Sequence, residues 1–309
     1  ADAFSKLEGE LWYMEKEGMV FRLGVDPNLN MMLVQRMDAL RQDSEKLSEM
    51  VYNTVEALAG TKFGKPLIWS EDSRLVRDNN TLKLVIAPPT ARFREDDSEM
   101  RAQLYIDEIL KNAGEKHRQF RNTVIFALPT PEGIANIEQS AIRLIALEEI
   151  KSSTGRTLKD YLRDELDQQL AAARVGLPSA IWGAYIVTGT AGRDDDYWIV
   201  LESGIKPYRQ SDTLSQRIWD RLTDSERLLE KFDPDYLVRS GDGRFAILWP
   251  ADQTAVKTQD LWDAFARYDY LPMLASQKVL QDTIAWGVQR GLFGYATGSP
   301  QKPDKIYFD

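Results

Sequence analysis

The chain has 309 residues, 43% hydrophobic and 28% charged, enough to bury at least one large core and to hold two or three substructures. Its 39 Lys and Arg against 48 Asp and Glu give a net charge of -9, which opposes broad adsorption to nucleic acid or anionic membrane and leaves room only for a local basic face. It has no cysteine and one histidine, His117, which excludes disulfides, thiolate zinc sites, cysteine nucleophiles and multi-histidine metal centres.

From the amino terminus, Leu7, Leu11, Trp12 and Met14 fall at mostly helical spacing within Phe4 to Lys16, and Met19 to Leu23 reads as a short, wing-like strand. Asp26 and Pro27 look like a cap and first turn. Leu29, Met32, Leu33, Met37, Leu40, Leu47, Val51, Val55 and Leu58 then carry a helical stripe to Gly60, which predicts one long helix with a break near Asp43. Pro66 to Trp69 and Leu82 to Ala87 are short apolar runs suited to central strands. Pro88 and Pro89 end the second, Arg94 to Glu99 is an acidic loop, and Met100 to Asn112 has helical spacing closed by Gly114.

Arg121 to Ile150 is the clearest βα unit in the chain. Val124 to Leu128 is an unbroken apolar run, Thr130 stands as N-cap and Pro131 as first helical residue, and apolar residues return at Ile134, Ile137, Ala141, Leu144 and Ile145. The βαβα order of Leu82 to Ile150 suggests a right-handed crossover and a parallel sheet core. Thr157 to Val175 predicts a second amphipathic helix that ends at Gly176, with Pro178 beyond it. Ala184 to Thr188 and Tyr197 to Leu201 read as a hairpin or edge pair around Gly189 to Asp196.

A boundary falls near Lys206. After it, Leu214, Ile218 and Leu222 mark a helix, with Leu228 and Leu229 on its continuation, and Arg244 to Trp249 is strand-like. Leu261 to Tyr270 and Gln277 to Arg290 are helices, and Leu292 to Ala296 and Ile306 to Phe308 are strands around a Gly, Ser, Pro and Lys turn. Helix, helix, β-wing is the order of a winged-helix module. The expected fold is therefore α/β: a partly parallel sheet core with flanking helices, plus a C-terminal winged-helix-like module. Residues 1–60 form a helical segment with a wing-like strand, 61–205 the α/β core, and 206–309 the helical and winged-helix-like module.

Few residues suggest chemistry. Gly60 to Pro66 has a Gly-Lys pair after an earlier glycine, yet a phosphate-binding loop needs four residues between its glycines and Ser or Thr after the Lys, so a helix C-cap and turn is the better reading. His117, Arg118 and Arg121 form a small cationic group before the strand, suited to phosphate or to a neighbouring subunit, or else to ion pairs with Glu115 and nearby carboxylates. Thr130 to Gly133 lies where open α/β sheets bind ligands, but without a glycine-rich turn capping is the default explanation. Asp194, Asp195 and Asp196 could supply oxygen ligands to a cation and read more simply as a solvated turn. In the last module Lys278, Arg290, Lys302 and Lys305 are the candidate DNA contacts, set against Asp282, Asp304 and Asp309. That near balance makes protein contact at least as good a reading. Most of the aromatics Trp262, Tyr268, Tyr270, Trp286, Phe293 and Tyr295 are expected in its core.

The segments LWYMEKEGMVFRLGVDPNLN, RNTVIFALPTPEGIANIEQSAIRLIALEEI and LWDAFARYDYLPMLASQKVLQDTIAWGVQRGLFGYATG resemble domain-of-unknown-function family 499 over nearly the whole chain. These are large AAA+-like ATP-binding proteins encoded in prokaryotic phage-defence islands. The resemblance implies a downstream fragment of such a protein, since neither a Walker A motif nor a convincing Walker B is present. A start at Ala1 without Met fits either a processed protein or a fragment, and Phe4 to Leu23, which reads like the closing piece of a substructure, favours the fragment. It implies no catalytic residue and no cofactor here, with ATP and magnesium belonging to the parent. The implied role is to relay nucleotide state to double-stranded DNA or to protein partners: other subunits or the remainder of its own ATPase. Arg121 and Asn122 are the polar positions of interest in the best-matching segment. The setting is cytoplasmic, without a membrane. The alternatives are a stand-alone nucleotide or small-molecule binder and a pure scaffold.

Overall fold

A computed structural model describes residues 14–17, 20–23, 29–94, 101–192, 199–202, 207–238, 243–250, 252–299 and 302–307. It opens with an antiparallel hairpin of β1 (Met14–Glu17) and β2 (Val20–Leu23). Met14 to Lys16 is thus strand where helical spacing had suggested helix, because pairing with Val20–Leu23 sets the backbone; the preceding residues, Asp26 and Pro27 lie outside the described set. The stripe from Leu29 forms two helices, α1 (Leu29–Leu40) and α2 (Ser44–Ala59). The break falls at Asp43, whose carboxylate accepts the Lys46 amide at 3.2 Å as the cap of the second helix.

The chain continues through β3 (Leu67–Ile68), β4 (Lys83–Ile86), α3 (Arg101–Lys111), the short hairpin β5 (Asn112–Ala113) and β6 (Lys116–His117), and β7 (Val124–Leu128). Then come α4 (Pro131–Thr154), α5 (Asp160–Ala184), β8 (Val187–Thr190) and β9 (Ile199–Glu202). The last part holds α6 (Leu214–Asp224), β10 (Leu228–Leu229), α7 (Asp235–Val238), α8 (Thr258–Arg267), β11 (Met273–Leu274), α9 (Gln277–Gln289), β12 (Tyr295–Ser299) and β13 (Lys302–Tyr307).

Contacts gather the chain into two compact units, one of residues 1–58 and 132–184, the other of 59–131 and 185–309. Apart from β1 and β2, the described residues of the first are mostly helical. Glu149 on α4 accepts ion pairs from Arg36 of α1 (3.2 Å) and Lys46 of α2. Lys151 to Asp167 and Arg174 to Glu148 link α4 and α5 as antiparallel partners. Helix α5 does not end at Gly176 but runs on through Pro178. Leu162, Leu166, Leu170, Ala173, Leu177 and Ile181 continue one buried stripe across it. Burying Leu177, Ile181 and Trp182, at about 1.5–3 kcal/mol each, outweighs the roughly 3 kcal/mol that a helical proline costs.

The second unit is built on a five-stranded sheet of order β3-β4-β7-β8-β9. Strands β3, β4 and β7 are parallel, with Lys83 opposite Val124 and Ile86 opposite Ala127, and β8 and β9 are antiparallel. The fold is mixed α/β with a partly parallel sheet, as expected. Alternation along the strands sends Val85, Ala87, Phe126, Leu128 and Val187 to one face, where they meet Ile106, Ile109 and Leu110 of α3. The two helices α4 and α5 are inserted in sequence between β7 and β8, which are hydrogen-bonded neighbours.

The carboxyl-terminal elements of this unit have their own core, in which Phe232, Leu237, Leu248, Leu261, Phe265, Leu274 and Leu280 are buried together. Leu228 and Leu229 do not continue α6. Glu226, at φ +55°, turns the chain out of the helix, and the two leucines pair in parallel with Met273 and Leu274. Within Arg244 to Trp249, expected as strand, residues 243–245 form a 3-10 turn that puts Phe245 edge-on against Phe232. Helix α8, helix α9 and the hairpin β12–β13 follow in the expected order. Among the described residues the hairpin has two strands only, since β11 pairs with β10. Gly287 lets this region close: a Cβ there would stand 2.2 Å from the Phe293 ring. No helix among the described residues is long and apolar enough to cross a membrane.

Candidate functional site

The cationic group read from the sequence lies at the amino-terminal edge of the parallel strands. His117 is exposed in β6, opposite Asn112. Arg118 is buried, and its guanidinium donates to the backbone carbonyls of Ile109 (2.6 Å), Asn112 (3.0 Å), Ser73 (3.3 Å) and Arg77 (3.4 Å). Ile109 and Asn112 are at the carboxyl end of α3, where carbonyls lack helical donors and the helix dipole is negative. The guanidinium therefore caps that helix and ties it to the 73–77 loop. Burial lowers its pKa, an effect that the nearby Asp78 carboxylate opposes. Asp78 itself accepts the amides of Gln119 and Phe120, each at 2.9 Å.

Arg121 forms a long ion pair with Asp269 at 3.8 Å. Asn122 is buried, and its side-chain amide donates to the carbonyls of Phe265 (2.8 Å) and Leu271 (3.1 Å). Its oxygen accepts from Arg227 at 3.0 Å, while Arg227 also reaches the carbonyls of Ala191 (2.6 Å) and Leu271 (2.9 Å). Asn122 and Arg227 thus join the start of β7, the end of β8 and the turn after α8. Beside them, Lys83 donates to Asn79 O, Thr81 O and Thr123 Oγ1 at 2.9, 2.6 and 3.0 Å. Burial pulls its pKa down to about 8, with Arg118 adding to the fall and Asp78 opposing it.

Thr130 is at the other end of the sheet. Five residues of β7 separate it from Asn122 and Thr123, roughly 16 Å at strand rise, so the structure does not bring Thr130 together with Arg118 and Arg121. The carboxyl-terminal edge is occupied by the protein's own groups. Trp69, at φ +53°, donates its indole N–H to the Tyr185 hydroxyl at 3.1 Å, and that hydroxyl donates to Ala87 O at 2.9 Å. Arg217 donates to Tyr185 O. Burial raises the Tyr185 pKa and lowers that of Arg217 to about 10.

The Gly60 to Pro66 stretch is a helix stop and turn. Gly60 has φ +71°, and a Cβ there would fall 2.4 Å from Ser215 Oγ. The Lys62 amide donates to that same oxygen, and its ammonium lies over the Trp219 ring at 4.5 Å.

The carboxyl-terminal module presents a different kind of surface. Lys278 is paired with Asp282 at 2.9 Å on α9. Arg290 pairs with Asp233 (3.3 Å) and Asp235 (3.1 Å) and covers the Trp286 ring at 5.3 Å. Lys302 opens β13, and Lys305, opposite Thr297, is exposed. Two of the four candidate DNA contacts are thereby neutralised by carboxylates. Between α9 and the hairpin lies a groove of about 560 Å³, lined by Gln281, Ile284, Ala285, Val288, Tyr295 and Tyr307 among others, none of them charged. Of its lining residues Tyr295 (38% exposed) and Tyr307 (48%) are open to solvent. Of the aromatics expected mostly in the core, Trp262, Tyr268, Tyr270 and Phe293 pack against it, while Trp286 (46% exposed) and Tyr295 are exposed.

The Asp194 to Asp196 triplet lies outside the described residues. Among those described, no three His, Asp or Glu side chains gather as metal ligands would. No family model, curated protein or solved structure matches the chain. Arg227 and Tyr185 had no sequence signal of their own, because they act through backbone groups distant in the chain, and Lys83 had none because only folding turns it onto Asn79 O, Thr81 O and Thr123 Oγ1.

Proposed function

We propose that this chain is a non-catalytic portion of an AAA+-like ATPase of the family 499 type, and that its carboxyl-terminal module, winged-helix-like in element order, makes the contact with a protein partner. The observation that carries the reading is the uncharged groove between α9 and the hairpin, with Tyr295 and Tyr307 lining it and exposed. Exposed aromatics gathered at one concave place are the usual anchors of protein interfaces. Support also comes from the cations, since Arg118, Lys278 and Arg290 are engaged by internal acceptors. ATP and magnesium belong to the parent protein in this reading, its partners are neighbouring subunits or the rest of that ATPase, and its setting is cytoplasmic.

DNA relay is the second reading, favoured by the order helix, helix, wing and by Lys305 on the hairpin face. Fluorescence anisotropy of labelled duplex DNA with the folded chain, at low and near-physiological salt, separates the two. The protein-contact reading predicts no saturable binding at either salt. Affinity that falls steeply with salt would overturn it and make the hairpin the DNA-facing part.

A further inference from the structure

Helix α6 is bonded at both ends to parts of the chain that are remote in sequence. At its start Gly60 comes so close that a Cβ would stand 2.4 Å from Ser215 Oγ and 2.6 Å from Thr213 Oγ1, and Ser215 Oγ accepts the Lys62 amide at 3.3 Å. One turn on, the Trp219 ring packs with that of Phe63 at 5.3 Å between centroids and lies under the Lys62 ammonium. Arg217 donates to Tyr185 O. Gly60 directly follows α2, and Tyr185 directly follows α5. The first turns of α6 therefore hold the chain where each of those two helices stops.

The other end is joined to the carboxyl-terminal module through Arg227. The Arg227 amide donates to Leu222 O of α6 at 2.9 Å, and its carbonyl accepts the Met273 amide at 2.8 Å. Its guanidinium reaches Leu271 O, Ala191 O and Asn122 Oδ1, so the module and two strands of the sheet meet at one side chain. Glu226, at φ +55°, makes the turn between the helix and Arg227. A residue other than glycine takes that conformation only where its surroundings impose it, and such turns cluster in segments that switch. Between the two ends α6 has eleven residues, with Leu214, Ile218 and Leu222 buried along one stripe.

We infer that α6 is a coupling element, through which binding at the carboxyl-terminal module is transmitted to Gly60–Lys62 and Tyr185 at the ends of α2 and α5. A helix is stiff along its axis, so a displacement of Leu271 or Met273 must either break the bonds of Arg227 or carry the far end of α6 with it. Breaking them strands several buried carbonyls at once, which makes transmission the less costly response. The inference goes beyond the protein-contact reading and does not need it: salt-dependent DNA binding would overturn that reading and leave the coupling standing.

The test is a double-variant cycle in urea unfolding on the full chain. Arg217 and Arg227 are about two helical turns apart, a separation at which substitutions normally act independently on stability. Coupling predicts that Arg217→Met combined with Arg227→Met lowers the folding equilibrium constant by at least about five-fold less than the product of the single effects, because a helix released at one end no longer holds the other. A product obeyed within about two-fold overturns the inference. Arg227→Lys keeps the charge and decides the matter if the Met variants do not fold. It should speed exchange of the Lys62 amide by about five-fold or more while the Ile106 and Ile109 amides of α3 keep their rates. An unchanged Lys62 amide, or equal acceleration in α3 as global unfolding would give, overturns the inference.

Discussion

Arg118 and Arg290 both belong to cationic groups that the sequence marks for external phosphate, and the protein uses them differently. At the amino-terminal edge of the sheet, Arg118 is enclosed and donates to four backbone carbonyls, so it holds a helix end to a loop. On the carboxyl-terminal module, Arg290 lies at the surface between two aspartates and over an indole, beside open aromatic side chains. The lesson is that a basic residue's role depends on which acceptors reach it first. At the sheet edge these are orphan carbonyls of the fold, and at the module they are side chains that leave the neighbouring apolar surface uncovered.

The contrast can be broken most forcefully at Arg118. Arg118→Met should lose about 3 kcal/mol or more in urea unfolding, because several buried carbonyls lose their donor together. Arg118→Lys should recover little, as one ammonium cannot span the fork. Next in size, Asn122→Ala and Arg227→Met should each cost about 2 kcal/mol, and the double variant less than their sum by about 1 kcal/mol, since each bonds the other and both bond Leu271.

Lys83 sharpens the comparison through pH. Its folded pKa, about 8, lies below the ordinary 10.5, so the unfolded chain binds the proton more tightly between those values. The cost of burying the ammonium is present in full below about pH 8 and is shed as pH rises to 10.5. Stability should therefore rise over that window, by on the order of 3 kcal/mol. Lys83→Met should abolish the rise. The smallest effect is expected on the module, where Trp286→Ser and Tyr307→Ser should change stability by no more than about 0.5 kcal/mol while weakening partner contact.

Much of the fold was legible because apolar period survives in a single sequence. Val124 to Leu128, Thr130 and Pro131 mark β7 and the start of α4, and Asp43 marks the break before α2. The period misled at Leu228 and Leu229, whose spacing suits a helix but whose backbone is redirected at Glu226 and captured by Met273 and Leu274. It misled again at Pro178, where burial of later residues carries α5 onward. The cationic cluster was visible as a cluster. Its purpose was not, because the acceptors of Arg118 are carbonyls up to 45 residues away and those of Asn122 are 143 and 149 residues away. Nor does periodicity reveal that α4 and α5 interrupt two strands that pair directly. The groove was hidden for a related reason: the aromatic side chains at its rim have the composition of a core, and only folding shows which of them the core leaves out.

Native-state hydrogen exchange on the intact chain tests the division most directly. The account predicts slow exchange for the amides of Arg118 and Phe120, which donate to Lys111 O and to Asp78 within the capped helix end, and fast exchange for the outward amides of Tyr295 to Thr297. Fast exchange at Arg118 and Phe120 together with protection along β12 would contradict it, since the cationic edge would then be the loose, available surface and the hairpin the closed one.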